Sequence, residues 1–263
     1  MIPNLLSIAG SDPSGGAGIQ ADLKTFAALG GYGMAAITAL TAQNTKGVTA
    51  VHELPPDFVV KQVETVFDDI RVDAVKIGMA GSGRTITQLG DVLQKRKPPI
   101  IVLDPVMVAQ SGDKLLSDEA VGRLKIALLP LASVITPNIP EAEILLGEKY
   151  GGDMEYFAKR LLKLGARAVL LKGGHLKGDT AKDIFVDAKN LVVLEEKRIK
   201  TKNNHGTGCT LSSALAAYMA KGLPAHEAAF AAKKYITAAL RESGKLKVGR
   251  GAGPVNHFYA QWK

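Results

Sequence analysis

Short runs of continuously apolar, β-branched residues alternate along this chain with longer stretches whose apolar positions recur every three or four residues. The runs at 5–9, 34–40, 74–77, 100–103, 134–135 and 168–171 read as strands. Most show no polar alternation, the pattern of parallel strands covered on both faces. Segments 19–28, 57–70, 85–95, 118–129 and 154–164 read as amphipathic helices between them. Strand-then-helix alternation predicts an α/β fold, a three-layer α/β/α sandwich with a mostly parallel central sheet. The last third differs. Runs at 184–186 and 191–195 flank Asp187-Ala188-Lys189-Asn190 and predict a hairpin. Helices near 207–221 and 225–242 follow, divided by Gly222-Leu223-Pro224, a stop-then-start signal. The first of them is rich in Ala and Ser, which permits close packing. No repeat or linker interrupts the pattern, so residues 1–263 read as a single domain.

Polar residues gather at the predicted strand ends. Gly10-Ser11-Asp12 follows the first, Gln43-Asn44 lies beyond the second, and Gly78-Met79 and Asp104-Pro105 follow the next two. Thr136-Pro137-Asn138 and Lys172-Gly173-Gly174 close the last pair. Parallel α/β sheets bind ligands beyond the carboxyl ends of their strands, so one shared cleft is expected.

Composition narrows the class. Apolar residues make up 46% and charged residues 22%, an ordinary globular balance. No apolar run reaches the ~18 residues of a membrane span, and the first residues lack the pattern of a secretory signal. The single cysteine, Cys209, excludes an intrachain disulfide and a four-cysteine zinc site, and fits a reducing, cytoplasmic setting. The net charge of +8 is uneven: residues 1–90 hold six Lys/Arg and eight Asp/Glu, the remainder 27 and 17. A basic C-terminal part attracts phosphates. The longest cationic run, Lys95-Arg96-Lys97, has no interleaved aromatics and does not indicate a nucleic-acid partner.

The chemistry concentrates in Asn204-His205-Gly206-Thr207-Gly208-Cys209-Thr210, which opens the Ala-rich helix. Helix starts expose unpaired N–H groups and the positive end of the macrodipole, and Gly206 and Gly208 let an anion approach the backbone. Thr207 and Thr210 add hydroxyl donors. A plain Gly/Thr cap that touches nothing fits equally well. A cysteine in the first helical turn has its thiol pKa lowered, so Cys209 reads as a general base or hydrogen-bond partner of an attacking hydroxyl; an inert buried cysteine is the other reading. There is no P-loop, no protein-kinase signature and no Gly-x-Gly-x-x-Gly dinucleotide motif.

Ser11-Asp12-Pro13-Ser14-Gly15-Gly16-Ala17-Gly18-Ile19-Gln20-Ala21-Asp22 resembles the N-terminal signature of the hydroxymethylpyrimidine/phosphomethylpyrimidine kinases of thiamine biosynthesis, within the ribokinase-like superfamily. Further matches run in order along the chain: 39–45, 75–79, 103–106, Thr136-Pro137-Asn138 with Glu141, 171–175, 204–210 and 253–258. The resemblance implies ATP-dependent phosphorylation of a hydroxymethylpyrimidine and then of its monophosphate, with ATP and Mg²⁺ as cofactors and a homodimer as the assembly. It places Gly10, Ala17, Asp22, Gln43, Met79 and Val106 around the pyrimidine. Gln43 suits an aminopyrimidine edge because a carboxamide both donates and accepts. Asp104, Asn138 and Glu141 would organise Mg²⁺ largely through water. Asn138 and Glu141 also have the spacing of a helix capping box. Lys172, Asn138, Thr207 and Thr210 would contact ATP, with Cys209, Gly206, Thr207, Gly208 and Lys172 at the transfer itself. The hairpin near 183–195 and the loop at 200–204 would border the nucleotide. Cys209 stands where sugar kinases of the superfamily carry an aspartate, which moves the expected acceptor away from sugars. Ala252 and Ala80 depart from the His and Leu expected there. A fused thiamine-phosphate synthase domain has no room after Trp262. A pyridoxal kinase of the same superfamily and a nucleotide-binding module without turnover are the alternatives.

Overall fold

Ten strands and eight α-helices follow one another in this computed structural model, which describes residues 1–107, 116–174, 176 and 178–262. Of the matched segment 171–175, the last residue, His175, lies outside the described ones. The strands are β1 (Asn4–Ala9), β2 (Tyr32–Ile37), β3 (Ala39–Asn44), β4 (Gly47–Glu53), β5 (Ala74–Ile77), β6 (Ile101–Leu103), β7 (Val134–Ile135), β8 (Ala168–Lys172), β9 (Thr180–Asp187) and β10 (Leu191–Lys197). The helices are α1 (Gly18–Ala28), α2 (Pro56–Asp69), α3 (Gly83–Arg96), α4 (Asp118–Ala127), α5 (Ile139–Leu146), α6 (Met154–Leu162), α7 (Thr207–Ala220) and α8 (Ala225–Arg241). Eight strands form the central sheet in the order β10-β9-β8-β7-β6-β5-β1-β2, parallel except for β9 and β10.

Strand periodicity splits the apolar runs between two cores. Leu6, Ile8, Val75, Ile77 and Leu103 pack with α2 to α6 on one face. Leu5, Ala74, Val102, Val134 and Leu170 face α1, α7 and α8 on the other. Neighbouring residues thus serve opposite faces, as a two-residue period requires. The Ala and Ser residues of α7 are buried from Thr210 through Ala217, so this helix lies flat against the sheet with its start at the strand ends.

Two expectations change. The run at 34–40 is not one strand. Thr38 breaks it: its N–H donates to Ala9 O at 3.0 Å, its hydroxyl to Met79 O at 2.6 Å, and its carbonyl accepts from Leu54 N–H at 3.0 Å. Beyond that corner β3 and β4 pair as a separate antiparallel hairpin. Gln43 therefore sits on a strand of this hairpin, not on a loop past β2. The second change is α5, a short helix opened by the Asn138–Glu141 capping box.

Candidate active site

Gly206 is the residue before α7, with φ of 77°. A Cβ there would lie 1.8 Å from Gly16 O, so only glycine lets the start of α7 press against the loop at 12–17. Asp12 ties that loop together. Its carboxylate accepts from the N–H groups of Ser14, Gly16 and Ala17 at 2.8, 3.1 and 2.8 Å, from the Ser14 hydroxyl at 2.7 Å, and from His205 Nε2 at 2.8 Å. Burial alone would raise its pKa, but the bonds from His205, Ser14 and Ala17 hold it at about 2.

Beside the helix start stands an ion pair. Lys172 Nζ, at the end of β8, lies 2.7 Å from Asp104 Oδ1, just past β6. The Thr136 hydroxyl donates to the same oxygen at 2.8 Å. A Cβ on Gly208 would come within 3.4 Å of Lys172 Nζ and 3.5 Å of Asp104 Oδ2, so the first turn of α7 abuts the pair directly. Burial opposes the Lys172 ammonium, but Asp104 and Glu141 hold its pKa above the ordinary lysine value. Burial would likewise raise the Asp104 pKa, and Lys172 and Lys76 bring it below normal.

Glu141 Oε2 is 4.0 Å from Lys172 Nζ and accepts from Asn138 N–H at 2.8 Å; the Asn138 side-chain oxygen accepts from Glu141 N–H at 2.9 Å. Burial, reinforced by Asp104, pushes the Glu141 carboxyl up to about 7 against the pull of Lys172. The capping box and the cleft-lining position coexist. Asp104 and Glu141 are hard oxygen donors, Asn138 commits its side-chain oxygen to the cap, and no group of three or more His, Cys, Asp or Glu assembles among the described residues. Such a donor set fits a Mg²⁺ ion carried by phosphates and water and touched by one or two carboxylates.

Under the start of α7 lies a buried polar floor. Lys76 Nζ contacts both oxygens of Asp22 at 2.9 Å, and neither side chain has exposed surface. Ser7 and Ser213 donate to Asp22 at 2.6 and 2.7 Å. Asp22 is therefore buried and does not line the cleft, because its helix turns it inward onto the lysine of β5. Thr210 is also placed elsewhere: it is fully buried, does not line the cleft, and its hydroxyl meets buried His257 Nε2 at 3.0 Å.

The thiol of Cys209 is corrected more sharply. The start of a helix lowers a thiol pKa in water, but here burial comes first and, with Asp22 and Asp104, pushes it up to about 11 despite Lys76. Its surroundings thus favour the thiol over the thiolate, although the side chain is only half-buried.

These groups face one cleft of about 640 Å³. Gly10, Ala17, Gln43, Met79 and Val106 line one end, with Thr41, Val48 and Val51 from the hairpin. Asn138, Thr207, Gly208, Cys209 and Lys172 line its middle, while Arg198, Thr201, Ile236 and Leu240 lie at the other end. The sequence motifs contain Asp12, Lys76 and His205 but gave none of them a role. A lysine inside an otherwise apolar strand was the available signal for Lys76. Residues 249–257 tie the hairpin to the segment that leads into α7. Thr45, in the hairpin turn, accepts from Gly251 and Ala252 N–H, and Gly253 O accepts from His205 N–H at 3.0 Å.

The profile of the phosphomethylpyrimidine kinase family matches residues 12–256. A hydroxymethylpyrimidine/phosphomethylpyrimidine kinase of Rhizobium meliloti is 54% identical over 261 residues, 98% of each chain. The solved phosphomethylpyrimidine kinase of Clostridium difficile is 49% identical with a TM-score of 0.80, covering 91% of this chain and all of that one. A Staphylococcus aureus pyridoxal kinase, solved with AMP-PCP and pyridoxal, is 36% identical with a TM-score of 0.90, over 99% of this chain and 95% of that one. The fold is ribokinase-like, and the chain belongs to the phosphomethylpyrimidine kinase family.

Proposed function

We propose that this chain, acting as one domain, transfers the terminal phosphoryl group of ATP to 4-amino-5-hydroxymethyl-2-methylpyrimidine and then to the resulting monophosphate, in thiamine biosynthesis. The observation that carries this reading is the meeting of the α7 start, the Lys172–Asp104 pair and Gln43 in one cleft. In the first transfer a bond forms between the hydroxymethyl oxygen and the γ-phosphorus, the bond to the bridging oxygen of ADP breaks, and the hydroxyl proton leaves. The N–H groups of the first turn of α7 face the charge that builds on the phosphoryl oxygens, and Lys172 neutralises it without moving, since Asp104, itself bonded by the Thr136 hydroxyl, holds it in place. Cys209 lies beside the acceptor as hydrogen-bond partner and, through its minor thiolate form, as proton acceptor. Asp104 and Glu141 would hold Mg²⁺ through water, and that ion would supply charge neutralisation on the ATP phosphates.

A cytoplasmic setting and a homodimer complete the proposal; the lone cysteine supports the first and the family resemblance the second. No helix among the described residues is long and apolar enough to cross a membrane. Pyridoxal is the second acceptor to weigh, because a pyridoxal kinase superposes over nearly the whole chain. Steady-state ADP release with Mg·ATP and, in turn, the hydroxymethylpyrimidine, its monophosphate and pyridoxal tests the reading. Turnover with both pyrimidines supports it, turnover with pyridoxal alone replaces it, and no turnover with any acceptor refutes it.

A further inference from the structure

Gln43 is held between two groups that each have one proton to give. The Thr41 hydroxyl is 2.8 Å from Ser11 O, which can only accept, so its proton points there. His205 Nε2 is 2.8 Å from Asp12 Oδ2. That carboxylate already accepts from three backbone N–H groups and a hydroxyl, so it acts as an acceptor and the imidazole proton sits on Nε2. The Gln43 amide nitrogen, 3.2 Å from this same Nε2, would then face a donor with a donor. Its oxygen, 3.2 Å from Thr41 Oγ1, would face a hydroxyl whose proton is committed elsewhere. Turning the amide by half a revolution removes both conflicts. The oxygen then shares the His205 proton with Asp12, and the nitrogen donates to the Thr41 oxygen.

We propose that Asp12, His205 and Thr41 lock the Gln43 amide with its oxygen toward His205 and its nitrogen toward Thr41, making His205 and Thr41 positioning residues that set acceptor specificity. The inference rests on the pyrimidine reading above. One lone pair and one N–H remain for a ligand, in a fixed order. The amino group of the substrate must approach the His205 side and its ring nitrogen the Thr41 side. The hydroxymethyl group is the neighbour of the amino group on the ring, and His205 immediately precedes the start of α7. The locked order therefore turns the reacting hydroxyl toward Cys209, and the reverse order turns it away. The 4-oxo analogue presents the opposite pattern, a carbonyl beside a ring N–H. A locked amide rejects it; a freely turning amide accommodates both.

Neutron diffraction from the deuterated, ligand-free protein reads the lock directly. Deuterium on the amide atom facing Thr41, and none on the atom facing His205, is expected; the opposite assignment overturns the proposal whatever the substrate proves to be. The kinetic arm compares kcat/KM for the amino substrate and the 4-oxo analogue. Thr41→Val and His205→Leu should each reduce the preference for the amino compound by about tenfold or more. Parallel loss on both acceptors, with the preference intact, would show a merely structural role and overturn the specificity claim. Inactivity of the unaltered protein on either pyrimidine would count against the functional reading, and the neutron result would still decide the amide.

Discussion

Replacing Cys209 by alanine removes one sulfur atom from the cleft, and in the proposed reaction the two acceptors should feel its loss differently. An alcohol must give up a proton as the new bond forms; a phosphate monoester, with a second pKa of about 6, is already ionised near neutral pH. With the thiol pushed up to about 11 by burial, the reactive thiolate amounts to roughly one molecule in three thousand at pH 7.5. A positioned base contributes about 10² to 10⁴ in rate, and so small a thiolate population places Cys209 at the lower end. Cys209→Ala should therefore slow the first transfer about a hundredfold and the second less than about fivefold. The unaltered enzyme should gain nearly tenfold in the first transfer per pH unit between about 7 and 9, and the variant should lose that slope. Single-turnover measurements with each acceptor at saturating Mg·ATP isolate the chemical step. Equal losses on both acceptors would show that Cys209 only packs and shapes the cleft. A flat profile in the unaltered enzyme would show that the proton leaves by another route.

Glu141 makes a second test. Its carboxyl is raised from 4.5 to about 7, so between those values the ligand-free fold keeps a proton that the unfolded chain releases. Stability should decline as pH rises through that window, by on the order of 3 kcal/mol. Glu141→Gln keeps an acceptor for Asn138 N–H; it should abolish the decline in urea melts while weakening Mg·ATP in calorimetry. Lys76→Met leaves the Asp22 carboxylate buried with only hydroxyl partners and should cost about 3–5 kcal/mol, much of it recovered in the double variant with Asp22→Asn. His257 is pushed down to about 3, by burial first and by Lys24 second. Below a pH of about 6.5 the unfolded chain takes a proton the fold refuses, so stability falls from there toward pH 3, and His257→Gln should flatten that part of the thermal-melt profile.

The layers of the fold were legible because strands covered on both faces leave uninterrupted apolar runs, as at 5–9 and 74–77. The corner at Thr38 was not, because it is made by partners at Ala9, Leu54 and Met79 that only the folded chain brings close. The strand ends named the cleft correctly for Asp104 and Lys172, whose side chains follow directly from where β6 and β8 stop. Asp22 and Thr210 went astray for a matter of helical phase. α7 is buried around much of its circumference, so no polar stripe tells which of its residues look outward. The direction of the Cys209 shift was equally hidden, since position in a helix can be read from a motif and depth of burial cannot.

The tie between Thr45, His205 and residues 249–257 has a consequence for the order in which the site comes into being. The ribosome can deliver every strand of the sheet, and the start of α7 as well, before the segment that spans hairpin and helix exists. A nascent chain halted at about residue 245 can hold its sheet with both cleft walls formed, joined by contacts such as those of His205 with Gln43 and Asp12 but without the brace from Thr45. The brace across the site is thus made after the architecture that it spans.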